Sequence, residues 1–246
     1  MAADRERSVA LMFSGGVDST VAAMKLLEEF DRVHLLTFRN GYGHYGFGRT
    51  RRRVRELVER YPGRFVHVEE SIRGLFERIC LSTLAEDYRR FRSAFMWCMG
   101  CKLAMHARSV IYCRQHGIGT MSDGSAADSD EMVEQMLLSV SMIHWLYADH
   151  GIEYRVPVYQ INREEKKRLL VEQGFFMGIP LLDRHLGIQP SCIPGELYYL
   201  PYILFNKAPG HDEETVARYI SLKRVLVDEI IQAAGPACRA DDRNGA

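Results

Sequence analysis

The chain has 246 residues, 47% of them hydrophobic, with 32 Lys plus Arg set against 32 Asp plus Glu. That length supports one substantial core with a short appendage rather than two full domains, and the charge balance excludes a global basic field for nucleic acid. No apolar run approaches the ~18 residues of a membrane helix, the start MAADRERSVALMF lacks an apolar signal region, and six irregularly spaced cysteines suit a reducing cytoplasm better than a disulfide framework. In chain order, Val9, Leu11, Met12 and Phe13 predict a buried strand, and the Val21, Met24, Leu27 spacing predicts a helix. RVHLLTF (32–38) reads as a second buried strand, followed by a flexible loop, RNGYGHYGFGRT. RTRRRVRELVERY (49–61) predicts a basic helix and RFVHVEES (64–71) a third strand. Residues 72–97 read as mostly helical up to FMWCMGC, and 102–116 as a further helix. IGTMSDGSAADSDE (118–131) supplies a short strand and a polar loop, 131–149 a helix, and YRVPVYQINREEKKRLLVEQG a strand, a turn and a capped helix. The tail AAGPACRADDRNGA reads as frayed. This alternation predicts a doubly wound, mostly parallel α/β sheet, whose ligands sit beyond the carboxyl ends of the strands.

Three polar loops fall at those ends: the SGGVDS turn (14–19), the Gly/aromatic loop and SDGSAAD (122–128). A strand that runs through two glycines into a helix aims free N–H groups and the positive end of a dipole at one point, which suits a phosphate. The N–H groups of Gly15, Gly16 and Val17, with the hydroxyls of Ser14, Ser19 and Thr20, are the candidate cradle. Asp18 repels phosphate unless a cation lies between them, so it reads as a Mg²⁺ ligand; Asp123 and Asp128 are candidates for the same metal. A solvated loop with a helix cap at Asp128 or Ser129 explains Asp123 and Asp128 equally well.

SGGVDS after a hydrophobic strand resembles the PP-loop of the adenine-nucleotide α-hydrolase superfamily, the N-type ATP pyrophosphatases. SDGSAAD and VPVYQINREEKKRLLVEQGF (156–175) resemble later landmarks of the same family, and no Walker GxxxxGK[ST] is present. The resemblance implies a Rossmann-like PP-loop domain over residues 1–185 and a C-terminal segment over 186–246 with a helix and a frayed tail. It also implies ATP cleavage between the α and β phosphates, with AMP transferred to a substrate oxygen. The implied nucleotide site comprises Ser14, Gly15, Gly16, Val17, Asp18, Ser19, Thr20, Phe38, Asp123 and Gly124, with Mg²⁺ on Asp18 and Asp123.

The cysteines bear on the branch. Cys98 and Cys101 form a C-x-x-C pair, and Cys113 with His116 gives a zinc-like continuation, C-x₂-C-x₁₁-C-x₂-H. A continuous helix over 102–116 carries Cys113 some ~18 Å from Cys101 and breaks that set. The pair plus the remote Cys192, in PSCIP, resembles the iron–sulfur-dependent thiolation branch, which includes tRNA 2-thiocytidine and 2-thiouridine synthetases. That resemblance implies a [4Fe–4S] cluster on Cys98, Cys101 and Cys192, with Lys102 offsetting negative charge and Asp18 and Asp123 catalytic through the metal. Implied partners are ATP, a tRNA base or small-molecule acceptor, and a sulfide or persulfide donor; a homodimer is compatible, and no membrane is involved. Two other readings remain open: an amide- or nitrile-forming ligase with structural zinc, and a nucleotide-binding module without turnover. RTRRRVR (49–55) and YRRFR (88–92) are the local basic features, either facing phosphates or forming solvated helix faces.

Overall fold

In the computed structural model of the chain, residues 6–129, 131–175, 191–205 and 210–235 are described. Five parallel strands form the main sheet: β1 (Ser8–Met12), β2 (Arg32–Arg39), β4 (Phe65–Ser71), β5 (Thr120–Ser122) and β6 (Glu153–Arg155). Their spatial order is β4-β2-β1-β5-β6, so the chain reverses its direction of travel between β1 and β5. That switch opens a crevice at the carboxyl ends of the strands. The remaining strands, β3 (His44–Tyr45) and β7 (Ser191–Cys192), pair antiparallel with His44 opposite Cys192.

Alternate residues of β1 feed two cores, as a pleated strand requires. Val9 and Leu11 pack with Val33 and Leu35 against α1 (Val17–Leu26), α2 (Phe47–Arg60) and α7 (Arg163–Glu172). Ala10, Leu36 and Phe38 join the other core with α3 (Arg73–Ile79), α5 (Met96–His116) and α6 (Leu137–Asp149). The C-terminal helix Glu213–Ala233 packs along α5 and α6 through Val216, Tyr219 and Ile220. Asp212 caps it, its carboxylate accepting from Thr215 N at 2.8 Å. α4 (Leu84–Phe91) is tied to this helix by the buried Lys223–Asp87 ion pair at 2.5 Å. No described helix is long and apolar enough to cross a membrane.

Three elements depart from the sequence-based expectation. The Gly/aromatic loop is structured in part, because His44 and Tyr45 pair with the Cys192 segment and α2 begins at Phe47. α5 starts at Met96 rather than after the C-x-x-C, since Met96 and Met99 extend the same buried face as Leu103. α6 begins at Leu137; residues 131–136 precede it as turns. Of the expected frayed tail, Ala233 ends the C-terminal helix, and the residues after Gly235, with Cys238, lie outside the described residues, as do His185 and Pro190.

Candidate active site

A cavity of about 340 Å³ lies at the switch point, walled by the ends of β1 and β2, the first turn of α1, α5 and the loop after β5. Of the expected nucleotide residues, Ser14, Asp18, Ser19, Phe38, Asp123 and Gly124 line it. Gly15, Gly16, Val17 and Thr20 do not line it among the described residues; they shape the turn. Gly15 has φ +83°, and a Cβ there would lie 2.9 Å from Thr50 Cα, so only glycine fits. Its N–H donates to Ser19 Oγ at 3.2 Å, Gly16 N–H to Ser14 Oγ at 3.2 Å, and Thr20 Oγ1 to Gly16 O at 2.6 Å. The two glycine N–H groups expected to hold phosphate are therefore already engaged. α1 has no side-chain cap at Gly16, whereas α7 is capped by Asn162, which accepts from Glu165 N at 2.9 Å. Helix geometry leaves the Val17, Asp18 and Ser19 N–H groups without a carbonyl one turn back, at the cavity edge. Gly124 lies flat against them: a Cβ there would approach Ser19 N to 2.8 Å and Asp18 C to 3.1 Å.

Two lysines organise the carboxylates. Lys166, on α7 and wholly buried, bridges Asp18 Oδ1 at 2.6 Å and Asp128 Oδ1 at 3.1 Å. Lys102, one residue beyond Cys101, places Nζ 2.5 Å from Asp123 Oδ2 and 3.4 Å from Ser125 Oγ. Asp123 Oδ1 also accepts from Ser125 N at 2.9 Å. Burial acts to raise the Asp123 carboxyl, but the Lys102 charge and these hydrogen bonds hold it well below the usual carboxylate range. His106 lies behind this pair, fully buried, with Nδ1 2.8 Å from the Tyr147 hydroxyl and Nε2 3.9 Å from Asp123. Burial, then the Lys102 charge, lower it to about 3, so the ring is neutral.

A second cavity of about 330 Å³ adjoins the first and shares His44, Lys102, Met105, Glu134, Ser191 and Cys192 with it. Cys98, Cys101 and Cys192 all line it. Cys98 and Cys101 are three apart on α5 and share a face; Cys192 arrives on β7. A Cβ on Gly195 would lie 3.7 Å from Cys98 Sγ and 3.9 Å from Cys192 Sγ, so those sulfurs are separated by no more than the sum of the two distances. Burial raises all three thiols, and in each the neighbouring cysteines or carboxylates add to the rise. The five described cysteines are free, and no group of three or more His, Cys, Asp or Glu among the described residues is spaced to hold a single metal ion.

Cys113 and His116 do not join this cavity. α5 runs unbroken past both, Cys113 is buried in the core, and His116 Nδ1 lies 2.9 Å from Tyr112 O. The basic stretch on α2 is largely ion-paired, Arg51 with Glu69 at 2.6 Å and Arg53, itself buried, with Glu56 at 2.6 Å. In YRRFR, Tyr88 is exposed while Phe91 is buried, so only Tyr88 is presented to solvent beside the arginines.

Three residues escaped the sequence reading. Lys166 was indistinguishable from Lys167 in a charged run. Glu134 sat in a polar stretch; here it faces both cavities, accepts from the Tyr199 hydroxyl at 3.3 Å, and is raised by burial. His44 carried one available signal, its place among glycines and aromatics.

No protein-family model matches the chain. Among solved structures, a 4-thiouridine synthetase in complex with RNA and bound ATP matches with TM-score 0.54 and 14% identity, over 93% of this chain and 53% of that one. The chain thus spans about half the length of that synthetase. A predicted subunit of a tRNA methyltransferase from Methanocaldococcus jannaschii matches with TM-score 0.46 and 16% identity, over 68% of this chain and 76% of that one. At 14% identity the likeness to the synthetase concerns architecture: the two chains share an α/β fold built on a parallel sheet.

Proposed function

We propose that the protein is an ATP-dependent sulfurtransferase that adenylates a carbonyl oxygen of a tRNA base or small precursor and replaces it with sulfur. The observation that carries this reading is the pair of adjoining cavities, one at the PP-loop and one lined by three cysteines. The bound ATP and RNA in the 4-thiouridine synthetase structure support the choice of substrates.

In this reading the nucleotide phosphates meet the first turn of α1, and Ser14 and Ser19 supply hydroxyls. Asp18, which is 36% exposed on its side chain and lines the cavity, would hold Mg²⁺, whose charge would let the carboxylate sit beside the phosphates. Asp123 is 2% exposed and already holds Lys102, so its part is to fix that ammonium between the cavities. The substrate oxygen attacks the α-phosphorus and pyrophosphate leaves; Glu134 takes the ring N–H proton released as the oxygen is adenylated. Sulfide sulfur then attacks the activated carbon, the bond to the AMP oxygen breaks, and Lys102 offsets the charge on the departing phosphate. The three cysteines fit an iron–sulfur cluster, being soft ligands converging on one cavity, and such a cluster supplies an iron without a cysteine ligand that can carry the sulfur.

Anaerobic reconstitution followed by iron and acid-labile sulfide assay tests the metal part. Four irons and four sulfides per chain are expected in the wild type, and Cys192→Ser should lose most of both. A single zinc and no sulfide would favour a ligase instead. Gly124→Ala tests the nucleotide part: the added methyl must displace backbone of α1 at a cost of about 1–3 kcal/mol. Mg-ATP affinity measured by calorimetry should fall about ten- to hundredfold, with far-UV circular dichroism unchanged. Equal affinity would remove the cavity from the role.

A further inference from the structure

Asn40 follows β2 directly and is fully buried. Its Oδ1 accepts from Tyr42 N at 2.8 Å, which fixes the amide: the other end, Nδ2, donates to Cys101 Sγ at 3.4 Å. A backbone N–H can only donate, so the flipped amide is excluded.

Trp97 precedes Cys98 on α5 and lines the cysteine cavity. Its ring is wedged edge-on between Phe76, at 5.1 Å, and Tyr42, at 6.5 Å. The indole Nε1 is buried and makes no hydrogen bond among the described residues. A buried donor left without an acceptor costs about 1–3 kcal/mol, so its retention calls for a partner. Trp97 lines the same cavity as Cys98, Cys101 and Cys192. Neutral thiols have little use for two such donors. Thiolates, negatively charged and permanently ligated, do.

We propose that the Asn40 amide, through Cys101, and the Trp97 indole, in the same cavity, are positioning donors to the cysteine thiolates of a bound cluster, and that they set its reduction potential. This rests on the cluster reading above. N–H···S bonds stabilise the more negative, reduced state, so each donor raises the potential and its removal lowers it.

Trp97→Phe keeps an aromatic ring in the wedge and deletes only the N–H. Asn40→Asp keeps the acceptor for Tyr42 N and replaces the donor facing Cys101 with a carboxylate. Both variants are reconstituted anaerobically and titrated redox-wise, with the reduced cluster examined by electron paramagnetic resonance for couplings to exchangeable deuterons. Trp97→Phe should shift the midpoint negative by the equivalent of about a tenfold change in the oxidised-to-reduced ratio, ~59 mV for one electron. It should also lose one exchangeable coupling. Asn40→Asp should shift further in the same direction, since it adds charge; should that variant fail to fold, Trp97→Phe decides alone. Full iron content with unchanged midpoint and couplings in Trp97→Phe would overturn the donor assignment while leaving the cluster reading intact. A wild-type protein that takes up no iron would overturn the cluster reading, and the donor assignment with it.

Discussion

Converting Asp18 and Asp128 together to asparagine is expected to destabilise the fold by about 3–5 kcal/mol, the cost of leaving a buried charge uncompensated. Lys166 is wholly buried and both carboxylates reach its ammonium, while the carboxylates themselves keep contact with solvent. The expensive charge is therefore the lysine. Adding Lys166→Met to the double variant should recover most of the loss, because an apolar side chain of similar length then fills the same space. Urea titrations of the wild type, double and triple variants read this directly as a non-additive cycle. A double variant within about 1 kcal/mol of wild type, a gap no larger than an ordinary single substitution, would show that Lys166 is compensated elsewhere. The same geometry revises what Asp18→Asn alone can mean. Its effect on Mg²⁺-dependent turnover has to be separated from its hold on Lys166, with Asp128 remaining as the second anchor.

The largest pH effect is expected from His106. Burial, then the Lys102 charge, hold its folded value at about 3, below the 6.5 of a free imidazole. The unfolded chain therefore binds a proton that the folded chain refuses, and stability falls as pH drops below 6.5. One proton's linkage gives a loss of about 2 kcal/mol at pH 5 relative to pH 8. Asp123, depressed in the folded state, stabilises above the unfolded carboxylate range and loses that contribution only at lower pH. The limb between pH 6.5 and 5 thus belongs to histidine. His106→Gln should shrink it without abolishing it, since burial also lowers His34, His44 and His67. A wild type whose urea midpoint does not move between pH 8 and 5 would refute the assignment.

Much of the architecture was legible because it obeys local rules. Apolar runs bounded by glycine and polar loops are strands, and Val21, Met24 and Leu27 repeat with the helical period. SGGVDS marked the crevice because only a strand-to-helix turn has use for two adjacent glycines there. The Lys102–Asp123 pair was invisible for the opposite reason: its members are separated along the chain and meet only where α5 lies beside the end of β5. Each was read alone, Lys102 as a lone cation and Asp123 as a metal ligand. Lys166 was hidden by its neighbours, since nothing in REEKKRLL tells which lysine faces inward. The start of α5 was missed because the C-x-x-C looked like a loop, whereas its cysteines lie one turn apart on a buried helix.

The pairing of His44 with Cys192 is a ladder of two residue pairs whose partners are separated by most of the chain. Closing so long a loop carries an entropic cost that two pairs repay poorly until the sheet behind them exists. The clip therefore closes late in folding, after α5 has already placed Cys98 and Cys101 side by side. Under the proposed cluster reading, a nascent chain that met iron too early would offer two thiols and no third. On that reading, loading of the site would depend on completion of the fold, and the order of events would act against loading an unfinished molecule.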